Sequence, residues 1–394
     1  MRSITAAGES LGRDEGGSGS SFLEGPRAVI DCDLHNEVPD VRALFPYLAP
    51  HWIEHIENTM FKGPIDTYYP SNAPIAARPG RGSSNLKPPG PGLERLRDEV
   101  LDPLDIECGI LNCLYAIDSL HNPDQAAALA QAVNDWQIAE WLDKEPRLRA
   151  SIVVPVQIPA LAAREVDRLG GHPGFVQVLL PVRSRHPYGS RLYHPLWDAI
   201  ARHELVAGIH FGGSPGNPPT PSGWPSYYFE EYAGMAQVFA TQVTSLVAEG
   251  VFDLFPSLRV ALIEAGFSWL PAHMWRFDKE WHNLRRLVPW VKRPPSEYIR
   301  AHIRVTVQPL DAPPNVRQLL EVIDQVGCED MLLYASDYPH RHAADPERDL
   351  LRHLPEALAR KVRGENARAF YNLGGGKRAQ AESGTRPARP VERA

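Results

Sequence analysis

Residues 29 to 37 of the chain read VIDCDLHNE, a stretch that begins like a buried strand and ends in ionisable side chains. Side chains alternate between the two faces of a strand, so we expect Asp31, Asp33 and His35 to share one face. A carboxylate on the inward face of a strand is costly unless something compensates its charge. The stretch therefore predicts a strand that ends in a polar site.

Seven further apolar runs, many of them β-branched, follow along the chain, and helix-like amphipathic segments such as 122–146, 194–204 and 315–327 lie between them. Strands that alternate with helices pair in parallel, so eight such units predict a closed (β/α)8 TIM barrel. An open doubly wound sheet is the alternative, but no glycine-rich phosphate loop follows the first strand. The predicted strands cover residues 28–33, 109–113, 151–155, 175–180, 206–210, 260–264, 303–307 and 331–335.

The sequence predicts one barrel domain over residues 25–373, with a polar tail on each side. Residues 1–24 and 374–394 have little to bury and are expected to be disordered. Residues 62–92 are rich in proline and glycine, which predicts a long irregular loop. A loop of this length is a lid, a binding loop or a disordered excursion, and the sequence leaves the choice open.

The bulk composition excludes several classes of function. The net charge is −7 over 394 residues, with no basic stripe, which argues against nucleic acid as a partner. No apolar run approaches the ~20 residues of a membrane helix, and the N-terminus does not resemble a signal peptide. The four cysteines form no Cys-x-x-Cys pair, so we expect reduced thiols in a cytoplasmic protein.

The ionisable residues of interest fall at the C-terminal ends of the predicted strands, where a barrel of this kind has its active site. Taken singly, each histidine could instead be a hydrogen-bonded core residue, and Asp337 could instead cap the next helix. Their convergence on one face favours a metal site, and the nitrogen and oxygen donors suit Zn²⁺, with Mn²⁺ as the alternative. The candidate ligands are Asp33, His35, His210 and Asp337. Glu264 also lies at a strand end, and His340 lies further along the last loop, where a loop residue is the more usual role than a ligand.

Five segments together resemble the amidohydrolase-related family, which includes aminocarboxymuconate-semialdehyde decarboxylase and the resorcylate-type decarboxylases. They are VIDCDLH, RLYHPLWDAIARHELVAGIHFGG, GVFDLFPSLRVALIEAGFSWLPAHMWRFD, LLYASDYPH and ENARAFYNL, and they span most of residues 26–373. The resemblance implies metal ligands at Asp33, His35, His210 and Asp337. It also implies a homodimer or higher homo-oligomer that acts on a small molecule.

A departure from the family after strand six tilts the expected reaction toward hydrolysis. Characterised decarboxylases of this family carry a catalytic His-x-Gly-Gly after strand six, whereas this chain reads EAGFSW from Glu264. The departure favours a hydrolase, in which a divalent ion lowers the pKa of a bound water to roughly 7. Asp337 would take the proton of this water and deliver it to the leaving group, and His210 would help to hold the ion. Glu264 would either position the water or act as a second general base.

Two other functions stay open. In a non-oxidative decarboxylase of an aromatic or unsaturated acid, Asp337 would protonate the carbon that loses CO2. Arg183 would hold the substrate carboxylate, with an exposed loop arginine as the equal alternative. A barrel that binds a ligand without catalysis is the third possibility. Aromatic residues near the expected mouth favour a flat substrate. Its predicted contacts are Arg183, Trp269, Tyr338 and His340.

Overall fold

A computed structural model of the chain describes residues 29–64, 92–220, 222–340 and 342–374. Eight parallel strands lie side by side in the order of the sequence, so each strand neighbours the next one along the chain. All eight predicted strands are confirmed. They are β1 (Val29–Leu34), β2 (Ile106–Leu111), β3 (Leu148–Val153), β4 (Phe175–Pro181), β5 (Val206–His210), β6 (Arg259–Ile263), β7 (Ile303–Thr306) and β8 (Leu332–Leu333).

The segment that follows β8 pairs with β1 and closes the sheet. The backbone N–H of Cys32 donates to the carbonyl of Tyr334 at 2.9 Å, and that of His35 donates to Tyr338 at 2.9 Å. In the opposite direction, the N–H of Asp337 donates to the carbonyl of Asp33 at 3.1 Å. The predicted (β/α)8 TIM barrel is therefore confirmed.

Helices connect the strands, and their ends follow from local sequence. Asn122 precedes Pro123 and its side chain accepts the N–H groups of Asp124 and Gln125, which begins α3. Gly327 ends α10 in the left-handed conformation that glycine favours. The described helices are α1 (Pro50–Thr59), α2 (Leu93–Leu96), α3 (Pro123–Gln137), α4 (Pro159–Leu169), α5 (His194–Arg202), α6 (Tyr228–Ala248), α7 (Val251–Leu254), α8 (Leu270–Leu284), α9 (Pro295–His302), α10 (Val316–Val326), α11 (Pro346–Asp349), α12 (Glu356–Arg360) and α13 (Asn366–Phe370).

Strand β1 is irregular, and the irregularity corrects one expectation. Asp31 pairs with Gly109 and Leu34 pairs with Leu111, so three steps along β1 match two steps along β2. The extra residue is a β-bulge, which reverses the alternation of side chains beyond it. The prediction that Asp31 shares a face with Asp33 and His35 was therefore wrong.

Asp31 instead holds the bulge together. One of its carboxylate oxygens accepts the backbone N–H of Asp33 at 3.1 Å and that of Ser336 at 3.0 Å. The side chain is fully buried, and this burial raises the pKa of Asp31 to about 7. Asp31 is thus a buried carboxylate with a structural task beside the polar site.

Several sequence predictions lie outside the described residues. They concern the N-terminal tail, most of the loop at 62–92 and nearly all of the C-terminal tail. None of the helices in the described ranges combines the length and apolar character needed to cross a bilayer. The predictions of compartment and of oligomeric state stay predictions.

Candidate metal centre

Side chains from β1, β5, β6 and the segment after β8 converge at the C-terminal end of the barrel. They form two overlapping sets, and within each set the potential ligand atoms lie within 4.8 Å of one another. His340 is partly exposed, and the other members are buried. One set contains Asp33, His35, His210 and Glu264, and the other contains His35, Glu264, Asp337 and His340.

The distances between these atoms suit donors to a shared ion. His35 Nε2 lies 2.9 Å from Asp337 Oδ1 and 3.4 Å from Asp33 Oδ1. His210 Nε2 lies 3.5 Å from Asp33 Oδ1 and 3.7 Å from Glu264 Oε1. Donors bound at about 2 Å from one ion lie about 3 to 4 Å apart, so this arrangement fits a divalent metal.

The other ring nitrogen of each histidine fixes which atom faces the centre. His35 Nδ1 lies 3.0 Å from the carbonyl of Asn112, and His210 Nδ1 lies 2.8 Å from the carbonyl of Phe211. A carbonyl oxygen only accepts hydrogen bonds, so each Nδ1 carries a hydrogen. Each Nε2 therefore faces the other atoms that could bind the ion. His210 Nε2 is buried and has no hydrogen-bond partner among the described residues. An orphaned imidazole nitrogen of this kind fits metal ligation.

Glu264 and Asp337 both have a left-handed backbone conformation. Their φ angles are +62° and +55°, a region that is uncommon for residues other than glycine. The Glu264 N–H donates to Thr306 Oγ1 at 3.1 Å, and the Asp337 N–H donates to the first strand as described above. Strained backbone that is held by its surroundings is typical of functional sites.

Histidines balance the three buried carboxylates. In the described part of the chain, the ion pairs of Asp33, Glu264 and Asp337 are all with histidines. Burial lowers the pKa of His340, but the charge of Asp337 outweighs it and raises this pKa to about 10. Burial likewise opposes a charge on His35, yet the neighbouring carboxylates raise its pKa well above its usual range. A divalent ion would compete with these protons for the same atoms.

Asp337 is the most heavily contacted member of the site. Besides His35, it faces His340 Nδ1 at 2.7 Å and His342 Nε2 at 2.5 Å. Burial raises the pKa of Asp337, but the histidines lower it well below its usual range. His342 was not among the predicted site residues. Its position five residues after Asp337, in SDYPHRH, was the available signal.

The predicted substrate contacts are engaged by the protein itself. Arg183 Nη1 lies 2.8 Å from Glu231 Oε1, and both side chains are buried. Trp269 Nε1 donates to the carbonyls of Ala265 and Gly266 at 2.9 and 3.0 Å. These contacts give Arg183 and Trp269 structural partners, and their contact with substrate stays a prediction.

Tyr338 forms a side-chain hydrogen bond to a distant part of the chain. Its hydroxyl donates to Glu99 Oε2 at 2.5 Å. Glu99 belongs to the π-helical turn Arg97–Leu101, and the Tyr338 side chain is buried. Its predicted role in lining the substrate site therefore has no support from this contact.

A different pair of aromatic side chains lies by the site. Phe211 directly follows His210, and its ring centroid lies 5.0 Å from that of Tyr232 in α6. Burial raises the pKa of Tyr232, and the charges of Glu264 and Asp337 raise it further, which places this phenol in the electric field of the site. Neither residue was among the predicted substrate contacts, because nothing in the sequence pattern indicates that the rings of Phe211 and Tyr232 meet. Together the two partly buried rings form an aromatic wall, and Tyr232 lies within range of the charges of Glu264 and Asp337.

Comparison with known proteins agrees with this geometry. A sequence model of a protein family described as "Amidohydrolase" matches residues 30–373 of this chain. The gamma-resorcylate decarboxylase of a Polaromonas species is 28% identical over 296 residues, which cover 70% of this chain and 86% of that protein. The gamma-resorcylate decarboxylase of Rhizobium radiobacter is 26% identical over 307 residues, covering 72% and 88%.

Solved structures share the fold. A dihydroxybenzoic acid decarboxylase from Polaromonas, with bound manganese and the inhibitor 2-nitroresorcinol, matches with a TM-score of 0.60 and 23% identity over 88% of this chain and 97% of that one. A 5-carboxyvanillate decarboxylase from Novosphingobium aromaticivorans, complexed with manganese and 4-hydroxy-3-methoxy-5-nitrobenzoic acid, matches with a TM-score of 0.65 and 19% identity, covering 88% and 96%.

Proposed function

Because the chain belongs to the amidohydrolase family, we propose that it is a metal-dependent, non-oxidative decarboxylase of a hydroxylated aromatic acid. The observation that carries the proposal is the convergence of Asp33, His35, His210 and Asp337 in a chain whose relatives include gamma-resorcylate decarboxylases. The preference for hydrolysis rested on the EAGFSW segment alone. The relatives favour decarboxylation instead.

We assign Asp33, His35, His210 and Asp337 as metal ligands. Glu264 lies in both donor sets, so we assign it either as a further ligand or as a group that contacts whatever else binds the ion. Carboxylate oxygens favour harder ions, so three carboxylates support manganese over the zinc expected from sequence. Manganese is also the ion in the two solved decarboxylases described above. When bound, a divalent ion supplies the positive charge that holds the carboxylate and hydroxyl oxygens of the substrate.

The chain's own residues supply the proton. Decarboxylation breaks the bond between the ring carbon and the carboxylate, releases CO2, and leaves the ring carbon to take one proton. Asp337 and His340 lie 2.7 Å apart and can hold that proton between them. The His340 side chain is 28% exposed, so it can be reprotonated from solvent.

Phe211 and Tyr232 support an aromatic substrate. A flat ring packs favourably against such a wall, and the neighbouring polar centre would fix its orientation. Arg183 is not needed in this scheme, because Glu231 already neutralises its charge.

Hydrolysis is the second candidate, and Glu264 is the observation that favours it. Its carboxylate lies 3.7 Å from His210 and 3.8 Å from His35, so it could accept a proton from a water at the centre. A decarboxylase and a hydrolase built on this site differ in their products. The products therefore separate the two candidates.

The test loads the purified protein with Mn²⁺ and offers 2,6-dihydroxybenzoate, 5-carboxyvanillate and a set of aryl esters and lactones. Decarboxylation predicts CO2 release and, in D2O, one deuterium on the ring carbon that lost the carboxylate. His210→Ala should abolish this activity, whereas His203→Ala, at a histidine bonded to Asp167 away from the site, should retain it. Ester or lactone cleavage without CO2 would replace the proposal with hydrolysis. Metal binding without either reaction would leave a ligand-binding barrel.

A further inference from the structure

Asn112, the residue after β2, touches both ligands that β1 supplies. Its side-chain Nδ2 donates to Asp33 Oδ1 at 2.8 Å, and its backbone carbonyl accepts from His35 Nδ1 at 3.0 Å. We infer that Asn112 is a positioning residue that sets the orientation of both ligands, and that it is anchored by a buried hydrogen-bond chain ending at Tyr371. This inference rests on the proposed metal centre and is independent of the reaction performed there.

The chain of hydrogen bonds runs through the barrel interior. Asn112 Oδ1 accepts from Ser151 Oγ at 2.6 Å and from Gln177 Nε2 at 2.9 Å. Gln177 Oε1 then accepts from the hydroxyl of Tyr371, just after α13, at 2.8 Å. Asn112, Ser151 and Gln177 are fully buried, and Tyr371 is 1% exposed. Residues from β3, β4 and the end of the described chain thus meet beneath the metal ligands.

The charge of Asp33 fixes the direction of every bond in this chain. A carboxylate accepts and does not donate, so the amide nitrogen of Asn112 must face it. The amide oxygen of Asn112 then faces Gln177, whose nitrogen must donate to it. The oxygen of Gln177 is left to accept from Tyr371. Each amide therefore has one orientation that satisfies its partners, and turning either amide over would place two acceptor oxygens against each other.

A chain with a single orientation holds the ligands before an ion arrives. Asn112 restricts rotation of the Asp33 carboxylate, and its carbonyl keeps a hydrogen of His35 on Nδ1, so that Nε2 faces Asp33 and Asp337, the other proposed ligands. Outer contacts of this kind typically change metal affinity by about 10- to 100-fold when they are removed. Buried polar groups that lose a partner also destabilise the fold, so a control is needed to separate the two effects.

Asn134 in α3 provides that control. It is also fully buried, donates to the Val153 carbonyl and Glu165 Oε1 at 2.8 Å each, and accepts the Val153 N–H at 2.8 Å, but it touches none of the proposed ligands. Asn112→Asp and Asn134→Asp therefore make the same chemical change in sites of equal burial. Tyr371→Phe removes only the last hydroxyl of the chain and is the mildest variant.

The experiment measures Mn²⁺ affinity by calorimetry on chelator-treated protein, together with the visible spectrum of the Co²⁺ form and the thermal midpoint. We expect affinity to fall by about 10- to 100-fold in Asn112→Asp, by less in Tyr371→Phe, and to stay near wild type in Asn134→Asp. The Co²⁺ spectrum should change only in the first two variants. If Asn112→Asp does not fold, Tyr371→Phe decides, and an unchanged affinity there overturns the inference.

Other outcomes separate this inference from the proposed function. Equal Mn²⁺ affinity in Asn112→Asp and Asn134→Asp overturns the role of Asn112 and leaves the metal centre standing. A wild-type chain that takes up no Mn²⁺ and no Co²⁺ overturns both. Loss of affinity in Asn112→Asp in a protein without decarboxylase activity supports the inference and contradicts only the proposed reaction.

Discussion

Two regions of the barrel that bury carboxylates neutralise them differently. At the C-terminal ends of the strands, Asp33, Glu264 and Asp337 face histidines. Just before β3, Glu145 is 4% exposed and faces two arginines, Arg97 at 2.7 Å and Arg147 at 2.9 Å. The hydrogen bonds from Arg147 outweigh burial and lower the pKa of Glu145 to about 2.

The difference lies in what each partner can release. A guanidinium stays protonated in proteins and offers no lone pair, so the arginines that face Glu145 cannot become ligands of a metal ion. An imidazole can lose its proton and then donate a lone pair to a metal. Arginine partners therefore make a site that serves stability, and histidine partners make a site that can accept an ion.

The test with the largest expected effect removes two proposed ligands of the metal centre. In the double variant Asp33→Ala, His210→Ala, we expect Mn²⁺ affinity to fall by more than about 100-fold, which exceeds the usual effect of removing a residue that only contacts a ligand. Decarboxylation should be lost with it. The thermal midpoint of the chelator-treated protein should fall only slightly, because the loss of the hydrogen bond from Asn112 Nδ2 is offset by the removal of a buried carboxylate with an unpaired oxygen. A large fall in that midpoint would show that the site is structural.

A second test breaks the buried pair of Arg183 and Glu231. Arg183→Ala leaves Glu231 charged and without this partner, so we expect a loss of about 3 to 5 kcal/mol in the free energy of unfolding, measured with urea. The double variant Arg183→Met, Glu231→Leu should unfold near the wild-type midpoint. If this double variant is stable but its KM for an aryl acid rises steeply, Arg183 also contacts the substrate, as the sequence analysis proposed.

A third test uses pH on Glu145. Its folded pKa lies below the unfolded value of about 4.3, so its pairing stabilises the fold above that pH and is lost as the pH falls through about 2. The contribution is on the order of 2 kcal/mol, because both arginines are partly exposed to solvent. Glu145→Gln should be less stable at pH 7 by this amount, and the gap should narrow toward pH 2. A gap that stays constant with pH would contradict the assigned pairing.

The smallest test concerns Asp31 in the bulge of β1. Asp31→Ala removes the acceptor of two buried N–H groups and should cost about 2 kcal/mol of unfolding free energy. Asp31→Asn keeps an acceptor oxygen and should cost less than half as much. Equal losses in the two variants would indicate that the charge of Asp31, rather than its hydrogen bonds, stabilises the bulge.

The sequence predicted the barrel and the ligand candidates because both are expressed in local pattern. Apolar runs alternate with amphipathic helices, and polar residues interrupt the ends of particular runs, as His210 does after VAGI. The bulge was not predictable in this way, since the extra residue in β1 is visible only against the register of β2. The same holds for Glu264 and Asp337, whose left-handed backbone depends on bonds to other strands.

Pairs between distant elements were beyond reach for a similar reason. Nothing in the sequence near Arg183 indicates that Glu231 from α6 will neutralise it. Asn112 was part of the predicted strand GILNC, where a polar residue in an apolar run was a signal. Its bond to Asp33 nevertheless depends on the packing of neighbouring strands.

The closure of the barrel at β1 would give the proposed metal centre a role in holding the ends of the domain together. His35 and Asp337 are 302 positions apart in sequence, yet their side chains meet where the first strand joins the segment after the last. An ion held by Asp33, His35 and Asp337 would cross-link this seam, much as a disulfide joins two distant parts of a chain. At a free ion concentration of about 1,000 times the dissociation constant, metal binding would stabilise the closed barrel by about 4 kcal/mol. Metal uptake during synthesis would therefore wait until the last strand has joined the first.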